Sequence, residues 1–374
     1  MAKQNQFFPQ VVFHPGETLD EKLKEMGMGP KEFAFRAGKP EKTITAILKG
    51  ESSITPDMAV QFESVTRIPA RFWMNSQRGY DEYIARVKRG KIVEEAFVWA
   101  KNFPVLQMIK MGWIDKTSEK QEIASQLLSF FGVANPTAWE NYYYNQKLKV
   151  AFRISLKHTS EPFAVSAWLR KGELTSQLIP APAYSEKSFR ESLPAIKSIM
   201  ANHSGDFFGT LQKICLASGV KVIYTPFLPK APVNGATRWI NDSPVIQISG
   251  RGKRNDKFWF SFFHESGHIL LHGKKDIFLE QLDYPDKDEE KEKEADDFAV
   301  KWTFSAEEEA AFKEIRPVTE KELIDFARKI NTHPAIIIGR LQHSRDLPYS
   351  FGQKYFIPID LSKDQEHTHP TPLI

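Results

Sequence analysis

Apolar positions along the chain follow three patterns, and each predicts a different kind of element. Between residues 17 and 76 they recur at helical spacing in short segments separated by Gly and Pro. GETLDEKLKEMG sets Leu19, Leu23 and Met26 on one face, with Gly27 as the stop. GPKEFAFRAG opens on Pro30 and closes on Gly38, and KPEKTITAILKG opens on Pro40, turns Ile44, Ile47 and Leu48 inward, and closes on Gly50. A fourth helix starts from the cap Thr55 and runs through Met58, Phe62 and Val65. From 219 to 250 the pattern changes: GVKVIYTPF, ATRWI and SPVIQISG are short, rich in Val, Ile or aromatics, bounded by Gly, Pro or Asn, and read as strands. Residues 258–272, FWFSFFHESGHILLH, are apolar nearly all the way round, which is the pattern of a buried helix.

The intervening stretch from about 80 to 210 is mixed, with a helix at KQEIASQLLSFFG, a strand over Pro162–Ala167, and no assignable chemistry. After the buried helix, the acidic, lysine-rich run DYPDKDEEKEKEADD leads into a second helix, EKEADDFAVKW. A Pro-bounded helical part occupies about 317–343, and SKDQEHTHPTPLI reads as a loose end. No internal repeat is visible.

A buried helix should not carry three histidines and a glutamate idly, because each buried polar group costs a few kcal/mol unless something satisfies it. HESGH is an H-E-x-x-H pattern. His264 and His268, four apart, project from one helix face and can reach one ion. Glu265 falls beside the position left open for water, where it can take a proton. A catalytic zinc needs a third protein ligand. In the second helix Glu292 shares the inner face defined by Ala295 and Ala299, so it is the expected ligand, with Glu294 in reserve. Asp296, one turn after Glu292, is placed to accept the far N–H of a zinc histidine and fix its tautomer. On an ideal helix His272 lies about 80° round from His264, so an orienting or helix-end role is expected ahead of ligation. Gly267 costs about 1 kcal/mol relative to alanine and reads as a point of close backbone approach. The plainer alternatives are hydrogen-bonded core histidines and a solvated charge run.

At 374 residues two or three domains are expected, and 41% apolar with 26% charged residues is ordinary for a soluble globular chain. No run of about 18 apolar residues exists to span a membrane, and MAKQNQFFPQ has no signal-peptide core. The single cysteine, Cys215, excludes disulfides within the chain, and the expected location is the cytoplasm. A net charge of +4 permits nucleic-acid contact without arguing for it.

The helix pair at 31–49 fits a helix-turn-helix: Ala34, Gly38 at the turn, then Ile44 and Leu48 holding the second helix. That geometry sends the second helix into the major groove. Lys42, Thr43 and Thr45 are then expected at base edges and Lys39 and Lys49 at phosphates, against the opposing charges of Glu41 and Glu51. Residues 1–90 carry 14 Lys and Arg against 11 Asp and Glu, an excess of three. So small an excess predicts modest binding by a monomer, and a homodimer on a palindromic double-stranded operator is the expected remedy. A helical bundle that binds protein is the alternative.

HESGHILLH followed by EKEADDFA resembles the ImmA/IrrE-family zinc metallopeptidases, whose pattern is HExxH and a later ExxA(N/D)xFA. GATRWINDSPVIQIS, DKFWFSFFHESGH and FARKINTHPAIIIGRLQH are similar to longer members of that family. HPGETLDEKLKEMG through FWMNSQRGYD resembles HigA-type antitoxins with an Xre-like helix-turn-helix, so the resemblance covers about residues 12–345. It implies an α+β chain with an all-α helix-turn-helix domain at 12–78, a largely helical connecting region at 79–210, a metallopeptidase-like domain at 211–345 and a tail at 346–374. It also implies one Zn²⁺ per chain on His264, His268 and Glu292, with Glu265 as the catalytic glutamate. Family members are described as cleaving repressors or acting in toxin–antitoxin and stress regulation, which implies a protein substrate or cognate toxin. The expected function is a DNA-binding regulator fused to a zinc endopeptidase, with PVIQIS as an edge strand that holds an extended peptide. The competing expectation is an antitoxin-type repressor whose peptidase-like part only binds a partner or ligand.

Overall fold

The computed structural model describes residues 12–144, 161–251, 254–275, 278–279, 288–315, 318–359 and 361. The predicted start 1–10 and the loose end 362–374 lie outside the described residues. The chain is α+β, mostly helical with one small sheet, and it divides into two compact units at Glu95/Ala96. No described helix is long and apolar enough to cross a membrane.

The first unit holds α1 (Pro15–Glu25), α2 (Pro30–Arg36), α3 (Glu41–Leu48), α4 (Pro56–Thr66) and most of α5 (Ala70–Ala100), which runs across the division. Three of the four short helices start with Pro in the first turn, where its missing N–H costs nothing. Thr55 caps α4 by accepting from the Met58 N–H. Leu19, Leu23, Phe33, Ile44, Ile47, Phe62 and Trp73 close into one core. The sequence did not reveal His14, which is buried, caps α1 through its Nδ1 and meets the edge of the Tyr80 ring.

The second unit begins with α6 (Val105–Lys110), α7 (Lys120–Phe131) and α8 (Pro136–Trp139) around an aromatic cluster of Trp99, Phe103, Phe131 and Trp139. Next come α9 (Pro162–Gln177), α10 (Glu186–Asn202), α11 (Phe207–Ala217), β1 (Lys221–Tyr224), β2 (Gly235–Ile240), β3 (Ser243–Ile248), α12 (Asn255–Gly267) and the two-residue β4 (Phe278–Leu279). The unit closes with α13 (Glu289–Thr303), α14 (Ala306–Lys313), α15 (Glu320–Lys329) and α16 (Pro334–His343). The strand expected over Pro162–Ala167 is instead the first part of α9. Pro162 fits the first helical turn, and Ala164 through Leu169 are all buried, so the apolar run reflects burial on every side rather than a strand.

The sheet order is β1-β3-β2-β4. β2 and β3 form a hairpin whose two turn residues, Asn241 and Asp242, both have positive φ (49° and 64°), as a tight two-residue turn demands. β1 pairs parallel to β3 on its other side. This corrects the edge-strand expectation for PVIQIS: β3 is internal, hydrogen-bonded on both sides. Among the described residues, the outer edge of β2 is paired by β4 at Ala236 and Thr237.

Alternation along β2 serves the two faces of the sheet differently. Arg238 donates to the Leu169 carbonyl (2.7 Å), and Gln247 of β3 donates to the Trp168 carbonyl (2.8 Å), fixing α9 to one face. Thr237 donates to the Glu265 carbonyl (3.0 Å), fixing α12 to the other. After α16 the chain returns to the start of α12, where Asn255 N–H donates to the Ile357 carbonyl (3.0 Å) and Ile359 and Leu361 are buried.

Candidate metal centre

α12 is apolar on all sides, as its sequence requires: Phe258, Trp259, Phe262 and Phe263 lie in the main core beside Ile336, Ile337 and Ile338 of α16. His264, Glu265 and His268 sit in the same helix at 2%, 0% and 0% exposure, so their environment is entirely protein. α13 packs across them at close range. A Cβ on Gly267 would stand 3.2 Å from the Ala295 Cα, so a bare backbone is what lets α13 reach the histidines. On the sheet side, a Cβ on Gly235 would stand 2.5 Å from Glu265 Oε1, so β2 also approaches through a glycine.

Three donor atoms converge between the two helices. His264 Nε2 and His268 Nε2 are 3.0 Å apart, and the Glu292 carboxylate places Oε2 3.6 Å from the first and Oε1 3.6 Å from the second. His264, His268 and Glu292 are the group among the described residues that offers a metal three such atoms. Glu292 Oε1 is buried and has no hydrogen-bond donor. Taking one donor atom from each residue, the three lie within 4.8 Å of one another, close enough to share one ion. Two imidazole nitrogens and a carboxylate oxygen are also the donor set of hydrolytic zinc sites. The residues therefore fit the ion that the sequence led us to expect.

The surrounding hydrogen bonds assign the imidazole protons. His264 Nδ1 lies 2.9 Å from Asp296 Oδ1, so Nδ1–H donates to the carboxylate and the Nε2 lone pair faces Glu292. His272 Nε2 lies 2.8 Å from Glu294 Oε2 and donates to it, which leaves His272 Nδ1 to accept from His268 Nδ1, 3.0 Å away. Glu294 thus acts on His268 through His272, and the Nε2 lone pair of His268 also turns toward Glu292. Two imidazole nitrogens turned toward a carboxylate in this way form a donor set that suits a cation.

Glu292, Asp296, Glu294 and His272 accordingly stand apart in role: Glu292 meets the facing nitrogens, Asp296 holds His264, and Glu294 and His272 form a chain to His268. The helical-wheel placement of His272 does not hold. Residues 268–272 form a wider π-helical turn, which swings His272 back beside His268. Sequence reading also missed Phe260, whose ring stacks near His264 (centroids 6.5 Å apart, 29° between planes), and Thr237, which holds the Glu265 carbonyl. Phe260 stands four before His264, so their contact is the ordinary i,i+4 neighbourhood of one helix, whereas the Thr237 contact depends on β2 crossing α12 and leaves no local sequence signal.

In the first unit the expected DNA-facing residues lie on or beside α3. Lys42 and Lys49 are exposed, Thr43 and Thr45 are half-buried, and Ile44 and Ile47 are fully buried behind them. Lys39 differs: its Nζ is ion-paired with Asp57 at 2.5 Å and its side chain is only 19% exposed, so it is largely committed within the unit.

Residues 215–329 match the model of the Peptidase_M78 family, described as an IrrE N-terminal-like domain. The chain carries an IrrE-like domain. That domain runs from the end of α11 through α15 and contains His264, Glu265, His268 and Glu292. The N-terminal part is similar to an uncharacterized HTH-type transcriptional regulator, YddM, of Escherichia coli K12. That likeness is 29% identical over 66 residues, 18% of this chain and 70% of the relative. Among solved structures, an addiction module antidote protein of the HigA family from Coxiella burnetii is 36% identical, over 23% of this chain and 95% of its own, with a TM-score of 0.22. The antitoxin HigA of Pseudomonas aeruginosa, solved with the higBA promoter, is 32% identical over 23% and 94%, also with a TM-score of 0.22.

Proposed function

We propose that the chain is a DNA-binding regulator whose IrrE-like domain is a zinc-dependent endopeptidase acting on a protein partner. The observation that carries this reading is the convergence of His264 Nε2 and His268 Nε2, 3.0 Å apart, with the half-buried Glu292 carboxylate 3.6 Å from each through its two oxygens, beside the fully buried Glu265. His264, His268 and Glu292 would hold the metal. Zinc, when bound, supplies Lewis acidity toward a peptide carbonyl and lowers the pKa of water at the site to about 7.

The rest of the chemistry belongs to this chain. Asp296 and the His272–Glu294 pair hold the two imidazoles in the tautomer that faces inward. Glu265, on the turn between the histidines and backed by Gly235, takes a proton from the attacking water as the carbonyl carbon gains its new C–O bond. It then delivers that proton to the amide nitrogen as the C–N bond breaks. The DNA-facing surface would be α3, through Lys42, Thr43, Thr45 and Lys49, with a homodimer on a palindromic duplex.

Glu265→Gln keeps the shape of the side chain and removes the base. The zinc content of this variant is expected to match the parent while cleavage of the partner protein falls at least 100-fold. Cleavage undiminished in Glu265→Gln would remove the mechanism. The second reading, a partner-binding module without hydrolysis, draws on the near-complete burial of the centre. Neutralisation of a partner by Glu265→Gln at full strength, with no cleavage by the parent, would establish it.

A further inference from the structure

One turn before His264 on α12, the domain holds a cavity of about 390 Å³, within the range of ligand pockets. Three observations place it beside the metal centre, although the centre's own residues do not line it. Phe260, in its wall, stacks near His264. Ser261, also in its wall, lies one turn before Glu265 on the same helix. Asn234, at its edge, immediately precedes the Gly235 that backs the Glu265 carboxylate. The far walls are Val300 and Thr303 of α13, the following Phe304, and Ile336 and Gly339 of α16.

The charges around this cavity are unbalanced. Asp256 is the acid in the lining, and Arg254 already clamps it through two bonds of 2.9 and 2.7 Å. The basic side chains are Lys257, Arg340 and the imidazole of His343. Arg340 shares Glu309 with Lys313, and Lys257 has no ion-pair partner among the described residues. A second recess of about 20 Å³ shares Asn234, Lys257 and Ser261 and is lined also by Arg251 and by the Arg254 that holds Asp256. The cavity therefore offers apolar walls, the Ser261 and Asn234 side chains, and the exposed Lys257 at its edge.

We propose that this cavity is the specificity pocket of the metal centre and that it takes an acidic peptide side chain, glutamate in particular, from the residue next to the scissile bond. The apolar walls receive the methylene stem and Lys257 receives the carboxylate, with Arg340 behind it. This inference rests on the zinc-endopeptidase reading, and the experiment separates the two.

The test uses the full chain loaded with zinc and calorimetric binding of three hydroxamates. Acetohydroxamate reports the metal centre alone. Two peptide hydroxamates, identical except for glutamate or lysine beside the metal-binding group, report the pocket. The glutamate probe is expected to bind on the order of tenfold tighter than the lysine probe, as a charge-assisted hydrogen bond supplies. Lys257→Glu, at an exposed side chain, is expected to abolish or invert that preference while leaving acetohydroxamate binding unchanged. Arg340→Gln is expected to weaken the preference in the same direction. Equal binding of the two peptide probes, or a preference that Lys257→Glu leaves intact, would overturn the pocket assignment while the metal centre stands. Failure of acetohydroxamate itself to bind would remove the metal-centre reading and this inference with it.

Discussion

Glu292, Glu294 and Asp296 lie within five positions of one another, and the structure gives each a different neighbour: the Nε2 atoms of His264 and His268, His272, and His264 Nδ1 respectively. Much of this was legible in the chain. H-E-x-x-H fixes its own geometry on a helix, and the inward face of α13 follows from Ala295 and Ala299. The link from His268 to Glu294 through His272 was only half legible: His268 and His272, four apart, neighbour one another on a helix, but His272 meets Glu294 through the packing of α13. If Asp296 and His272 orient the histidines, their loss should weaken the site without emptying it. Asp296→Asn and His272→Ala are each expected to lower zinc affinity about 10–100-fold, measured by competition with a chromogenic chelator. Affinity unchanged in both would mean that α12 alone sets the ring orientations.

Among the elements, those called correctly were the ones with a local signal: Pro at a helix start, the Thr55 cap, and β-branched runs between turns. The errors came from burial. α9 is enclosed on every side, so its apolar run carries no periodicity to separate helix from strand. The internal position of β3 follows from parallel pairing with β1, which lies across a long connection and leaves no mark in either strand. Behind α12 the sequence also concealed a polar contact. Trp259 Nε1–H donates to His203 Nδ1 (3.0 Å), and burial, aided by nearby His333, pushes the His203 pKa down to about 4. The folded state thus keeps this imidazole neutral where the unfolded chain, titrating near 6.5, takes up a proton. Stability from this group is full above about pH 6.5 and falls as the pH drops toward 4. His203 has φ 39°, which asparagine tolerates, so His203→Asn is the suitable control. The loss of melting temperature from pH 7 to pH 5 is expected to be smaller in His203→Asn than in the parent. Equal losses would assign the acid sensitivity to other groups.

For the whole molecule, the chain joins a part similar to helix-turn-helix regulators to an IrrE-like domain, and the two carry separable predictions. On the proposed reading, α3 would hold DNA only modestly, since Lys39 is held by Asp57 and the basic excess of residues 1–90 is small. Lys42→Ala is expected to weaken binding to duplex DNA from the chain's own promoter. If Lys42 meets a phosphate, the salt dependence should become shallower by about one unit of log–log slope. Binding by Lys42→Ala that matches the parent at every salt concentration would remove α3 from the interface. The most direct test of the central claim is the zinc content of purified parent, Glu292→Ala and Glu294→Ala protein made with zinc available. About one zinc per chain is predicted in the parent and in Glu294→Ala, with none held by Glu292→Ala. Zinc retained by Glu292→Ala, or absent from the parent, would contradict the assignment of these residues as a zinc centre.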